Sequence, residues 1–183
     1  MNTYPKEVVV RDKKFKVLIE PEAIDRAIDR IAAAINKDYA DKNLVFVVTL
    51  KGAMFFATDL LKKIRVECEI ETIRAKSYGS QVVSSGKVVV SNLPESIRGK
   101  DIIILEDIVD TGLTVVQLKS ELAHYEPQSL KVATLLLKPD MLQSDVSADY
   151  VGIEIPPEFV VGYGLDYAES GRNYPAIYSL DEK

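Results

Sequence analysis

Residues 101–114 read Asp-Ile-Ile-Ile-Leu-Glu-Asp-Ile-Val-Asp-Thr-Gly-Leu-Thr. Asp101–Leu105 is aliphatic after its first residue and shows no polar alternation, the pattern of a strand buried on both faces. It delivers two adjacent carboxylates, Glu106 and Asp107, then a third, Asp110, and then small residues with hydroxyls or no side chain. Thr114–His124 follows with helical spacing. A buried strand that turns sharply into a helix is the unit from which α/β folds are built.

The neighbouring segments extend that unit. Leu44–Leu50 and Leu130–Leu137 are further continuous apolar runs of strand length. Ile24, Ile28, Ile31 and Ile35 share one face of a helix that Pro21 can open, and Ala53–Ile64 has helical spacing. Val66–Ala75 alternates like another strand, Val8–Val10, Phe15–Ile19, Lys87–Ser91, Asp149–Ile153 and Phe159–Tyr163 read as short strands, and the polar tract Ser77–Lys87 as a loop. The expected fold is α/β, a central parallel sheet with helices on both faces. Ligands of such sheets bind at the carboxyl ends of the strands, near the point where the strand order reverses. That directs attention to Lys51-Gly52, Glu106-Asp107 and Lys138.

Composition narrows the chemistry. No linker or repeat divides the 183 residues, so residues 1–183 are expected to form one domain. The single Cys68 cannot form an internal disulfide, the N-terminus has no signal-peptide core, and no apolar run is long enough to span a bilayer. A cytoplasmic protein without membrane association is expected. The net charge of −5 argues against nucleic acid as a partner. With His124 and Cys68 each alone of their kind, His/Cys zinc sites and Ser-His-Asp machinery are disfavoured. Acid–base work then falls to carboxylates, Lys or Tyr, and any metal should be a hard cation held by oxygen.

Adjacent carboxylates at a strand end disfavour each other's ionised form, so a site that keeps both wants a cation or hydroxyl donors. A ribose diol supplies the hydroxyls and Mg²⁺ the charge. Over Asp110–Thr114 the chain turns into a helix whose first N–H groups have no helical acceptor, Gly112 permits close approach, and Thr111 and Thr114 add hydroxyls. Carboxylates for a sugar beside a cradle for its phosphate describe a ribose-5-phosphate site. The plainer reading makes Asp110 or Thr111 a helix cap and Glu106-Asp107 a solvated strand end, and must explain each feature separately. A P-loop reading fails because no G-x-x-x-x-G-K-[ST] is present.

The stretch resembles the 5-phosphoribosyl-1-pyrophosphate (PRPP) motif of type I phosphoribosyltransferases, and the whole chain resembles the hypoxanthine-guanine phosphoribosyltransferases. The motifs are Leu50-Lys51-Gly52-Ala53, Lys76-Ser77-Tyr78-Gly79-Ser80, the acidic stretch itself, Leu135-Leu136-Leu137-Lys138-Pro139, and Asp149–Pro156 followed by Phe159–Tyr167. The resemblance implies the type I phosphoribosyltransferase fold, with a small hood from about 1–20 and 145–183. It implies Mg²⁺-dependent transfer of the phosphoribosyl group from PRPP to N9 of a 6-oxopurine, hypoxanthine or guanine, giving IMP or GMP and pyrophosphate in purine salvage.

By the same resemblance Asp110 is the general base for the purine N7 proton. Glu106 and Asp107 hold the ribose hydroxyls and Mg²⁺, and the backbone of Asp110, Thr111, Gly112, Leu113 and Thr114 binds the 5′-phosphate. Leu50, Lys51 and Gly52, with a Leu-Lys peptide often cis in the family, bind pyrophosphate together with Arg172. Ser77 and Tyr78 open a mobile lid over about 77–87. Lys138 donates to the 6-oxo group, Tyr150 stacks on the base, and the Val151 backbone reads its edge. The family usually places a metal-binding aspartate after V-G-I-E-I-P. Pro157 occupies that position here, with Glu158 the nearest substitute. Alternatives are a phosphoribosyltransferase for another base, or a PRPP-sensing or RNA- or DNA-binding regulator on the same fold. Relatives are commonly homodimers or homotetramers, and Tyr4, Tyr174 and Tyr178 read as exposed residues suited to association.

Overall fold

The computed structural model describes residues 4–74, 93–143 and 147–181. The expected lid with Ser77 and Tyr78, and the expected strand at 87–91, lie outside those residues.

Five strands form one parallel sheet: β3 (Leu44–Leu50), β4 (Cys68–Arg74), β5 (Asp101–Val109), β6 (Ser129–Leu137) and β7 (Tyr150–Glu154), in the order β4-β3-β5-β6-β7. The order reverses between β3 and β5, so the crevice beyond their carboxyl ends is the switch point. α1 (Pro21–Asp38) and α2 (Met54–Leu61) cover one face. There Ile24, Ile28, Ile31 and Ile35 of α1 are buried against Phe46 and Val48 of β3 and Leu105 of β5. Each such isoleucine removed from water is worth about 1.5–3 kcal/mol. α3 (Leu113–Ala123) covers the other face, seating Val115, Leu118 and Leu122 against Val45, Val47, Ile102 and Ile104. Alternate residues of β3 and β5 therefore feed two cores, which is why neither strand shows polar alternation. None of the described helices is long and apolar enough to cross a membrane.

A second, four-stranded sheet stands over the switch point. It joins β1 (Glu7–Val10) and β2 (Lys13–Ile19) to β8 (Val160–Val161) and β9 (Ile177–Leu180), in the antiparallel order β1-β2-β9-β8. Val8, Phe15, Val161 and Tyr178 fill its own small core.

Several expected elements differ in the structure. The strand assigned to 101–105 runs on to Val109, because Glu106, Ile108 and Val109 continue to pair with Thr134, Leu136 and Leu137 of β6. Glu106 and Asp107 therefore lie within the strand, and Asp110 follows it directly. The segment at 159–163 contracts to Val160–Val161 and joins the second sheet, pairing with β9, a strand absent from the expected elements. Tyr178 is fully buried, its hydroxyl donating to Pro5 O at 2.8 Å, and Tyr174 packs against its ring, so these tyrosines serve the hood core.

Candidate active site

The carboxyl ends of β3 and β5 open into a cavity of about 610 Å³. Its walls include Leu50 at the end of β3 with Lys51 and Gly52 after it, and Glu106, Asp107 and Asp110 on β5 and just beyond it. Thr111, Gly112 and Thr114 at the start of α3 also line it, as do Asp166, Glu169 and Arg172 from the hood.

Glu106 lines the cavity but is only 4% exposed, and its Oε1 has no hydrogen-bond partner. Thr49 Oγ1, one residue past the Val48–Leu105 pair on the adjoining strand, is likewise without one. Asp107 faces the cavity and packs on the bare backbone of Gly52, where a Cβ would come within 1.7 Å of Oδ2. Only glycine at 52 lets the β3 loop and this carboxylate approach so closely. Burial raises the Glu106 carboxyl well above the ordinary carboxylate range, and the neighbouring Asp107 charge adds to it. Burial lifts Asp107 to about 6, opposed by backbone N–H groups and by the Arg172 charge.

These shifts fix a sign for stability. Between the ordinary carboxyl value of about 4 and the raised native values, the folded chain holds more protons than the unfolded chain. Stability fully present below pH 4 is therefore lost as pH rises through about 6. Glu106→Gln, which cannot ionise, should raise the Tm of the metal-free protein at pH 7.5, with the gain shrinking toward pH 4 in thermal melts. A gain independent of pH would contradict this origin.

Asp110 follows β5 directly. Its Oδ2 accepts a hydrogen bond from Lys138 Nζ at 2.9 Å, and its Oδ1 has no partner. Lys138 is held in place by its own N–H, which donates to Val109 O, and it is 7% exposed. The end of β6 thus delivers a buried cation to the carboxylate at the end of β5. Gly112, in a left-handed conformation, is the residue that caps α3 and has no side chain to bond its N-terminus. Thr111 Oγ1 accepts the Leu113 N–H at a long 3.5 Å, and the other first-turn N–H groups are available to an anion. Leu113 is exposed and its side chain lies off the cavity.

The Leu50–Lys51 peptide is cis. Lys51 Nζ meets Glu169 Oε2 at 2.9 Å. Arg172 is braced by Gly164 O at 2.8 Å and reaches Asp166 at 2.8 Å and Glu169 Oε2 at 3.4 Å, while its buried Nε has no partner. Two cations thus face the acidic end of β5 across the cavity.

Three expected placements are corrected. Tyr150 opens β7 at the register of Ala133, four residues before the Leu137–Glu154 pair at the carboxyl edge. At about 3.3 Å per residue that is about 13 Å from the edge, and the Tyr150 hydroxyl donates to Asp38 Oδ2 instead. Val151, paired with Thr134, is equally far down the strand. Glu158 is exposed and does not line the cavity. Asp166, nine residues beyond Pro157, brings a carboxylate to the cavity wall from the loop that also carries Arg172. The sequence signal for it was G-Y-G-L-D-Y just ahead of that arginine, where Gly162 and Gly164 adopt positive φ.

Among the described residues no three His, Cys, Asp or Glu side chains converge as a preformed metal cage. One or two carboxylates that leave the remaining positions to water and ligand oxygens suit Mg²⁺, and Asp107 with Asp166 across the cavity offers such a set. The orphaned Glu106 Oε1 beside them fits a donor or cation brought with the ligand.

Comparison with known proteins places this geometry. Residues 18–168 match the model of the phosphoribosyl transferase domain. The chain is 43% identical over 163 residues to a hypoxanthine-guanine phosphoribosyltransferase of Bacillus subtilis, covering 88% of this chain and 91% of that protein. It is 41% identical over 174 residues to one of Mycobacterium bovis, covering 91% and 86%. A crystal structure of a hypoxanthine-guanine phosphoribosyltransferase from Bacillus anthracis superposes with a TM-score of 0.85 at 40% identity, covering 91% of this chain and 98% of that one. A hypoxanthine phosphoribosyltransferase from Staphylococcus aureus gives 0.86 at 41% identity, covering 91% of each.

Proposed function

The chain belongs to the phosphoribosyltransferase family, within it to the hypoxanthine-guanine enzymes, and from that premise we propose that it makes IMP and GMP from PRPP and the free 6-oxopurines, releasing pyrophosphate in a Mg²⁺-dependent reaction. The observation that carries the reading is one cavity at the strand-order switch point. It combines the acids of β5, the amide-rich start of α3 and two cations from separate elements.

In this reading the first turn of α3, with Thr111 and Thr114, binds the 5′-phosphate, and Asp107 and Glu106 take the ribose hydroxyls. Lys51, the Gly52 backbone and Arg172 hold the pyrophosphate. Asp107 and Asp166, with Glu106 behind them, would hold Mg²⁺, whose charge lowers the cost of the departing pyrophosphate. As the C1′–O bond to pyrophosphate breaks, N9 of the base attacks C1′ and the proton on N7 passes to Asp110. A base next to the attacking ring sharpens its nucleophilicity, and transfer by a positioned carboxylate suits that role. Lys138 donates to the 6-oxygen, which selects against adenine, whose 6-amino group is itself a donor. With Tyr150 and Val151 far from the edge, the base would rest on Phe159, a 45%-exposed ring beyond the carboxyl end of β7.

Nucleotide formation from PRPP and Mg²⁺ with hypoxanthine, guanine, xanthine or adenine tests the assignment. Turnover of hypoxanthine and guanine, and none of adenine, is expected. PRPP binding without turnover of any base would instead favour a regulator.

A further inference from the structure

We propose that Glu169 is a displaceable stand-in for pyrophosphate, holding the cations of the leaving-group site while it is empty and thereby setting its affinity. The inference rests on the pyrophosphate reading of Lys51 and Arg172. A single oxygen, Glu169 Oε2, meets both Lys51 at 2.9 Å and Arg172 at 3.4 Å. Among the described residues Lys51 has no other ion-pair partner, whereas Arg172 also keeps Asp166.

The backbone aims this carboxylate. Tyr167 and Ser170 exchange hydrogen bonds of 2.9 and 3.1 Å around a two-residue turn, and both central residues, Ala168 and Glu169, have positive φ of 48° and 66°. Such turns favour Asn and Gly. The turn is fixed further by Asp166 Oδ2, which accepts the Glu169 N–H at 2.8 Å. A glutamate at a position suited to glycine points to its side chain as the feature retained there.

Lys51 and Glu169 are 61% and 65% exposed, so water screens their pair and it breaks readily. A pyrophosphate, with more charge and more oxygens than one carboxylate, displaces Glu169 into solvent. When the product leaves, the carboxylate returns. Glu169 therefore competes with the pyrophosphate group of substrate and product, and not with the 5′-phosphate of the nucleotide.

Isothermal titration with magnesium pyrophosphate, and separately with IMP, on wild type, Glu169→Gln and Glu169→Gly is the test. Both variants should bind pyrophosphate about three- to tenfold more tightly, the scale of one or two screened ion pairs. Affinity for IMP, which lacks the pyrophosphate, should not change. Equal or weaker pyrophosphate binding by Glu169→Gln would overturn the proposal by making the carboxylate a positioning group. A gain confined to Glu169→Gly would overturn it in favour of turn flexibility, and an equal gain for IMP would overturn it in favour of general electrostatics. A wild type that binds IMP but no pyrophosphate would remove the underlying site assignment as well.

Discussion

Asp110→Asn should lower kcat by about 10²–10⁴-fold, the range contributed by a positioned general base. Asparagine keeps the size of the side chain and can still accept a hydrogen bond from Lys138, but it cannot take a proton at N7. The structure makes the comparison clean because one carboxylate oxygen is committed to Lys138 at 2.9 Å and the other has no partner. Since the side chains that contact ribose, phosphate and pyrophosphate come from other residues, and the substitution leaves the Asp110 backbone in place, the KM for PRPP should change little. Single-turnover formation of IMP separates the chemical step from product release. A loss of less than tenfold in that step would move the base to another group. Lys138 would also lose its only ion-pair partner among the described residues, so a modest fall in Tm should accompany the loss of rate.

Gly164→Ala is expected to disable the site from outside it. Gly164 has φ of 100°, and a Cβ there would lie 2.1 Å from the backbone oxygen of Gly52. No rotamer relieves a clash between backbones, so either the hood loop or the Leu50-Lys51-Gly52 loop must move. Adding left-handed strain to the overlap gives a cost of about 2–4 kcal/mol. For a chain of this size that lowers Tm by about 5–15 °C. The same residue receives Arg172 on its carbonyl and donates its N–H back to Arg172 O at 2.9 Å. Displacement therefore shifts both cations, and the KM for PRPP should rise together with the fall in Tm. A variant with wild-type Tm and KM would show that the contact between hood and loop is dispensable.

What the sequence made legible follows how local each feature is. Glu106, Asp107, Asp110 and Gly112 lie within seven residues, and strand, turn and helix start fix their positions without reference to the rest of the chain. The parallel sheet was legible because β3, β5 and β6 are covered on both faces and carry no polar alternation to mislead. Asp166 was missed because its place in the cavity depends on a long-range contact. The hood loop reaches the site only because Gly164 seats on Gly52, more than a hundred residues earlier in the chain. Tyr150 was misplaced for a related reason. A motif shows that a strand is present, but the register with β6, Tyr150 beside Ala133, decides which end faces the ligand. β9 and the burial of Tyr178 were hidden because this short antiparallel strand is held between β8 and β2, the latter at the far end of the chain.

The central claim is that the acids of β5 and the cations facing them act together in one transfer reaction. The most direct measurement follows IMP and pyrophosphate in the same reaction of wild-type protein with PRPP, Mg²⁺ and hypoxanthine. Equal amounts of the two products, both abolished by chelating the metal and both depending on the base, are expected. Pyrophosphate released without IMP, or IMP formed at an undiminished rate after chelation, would contradict the account.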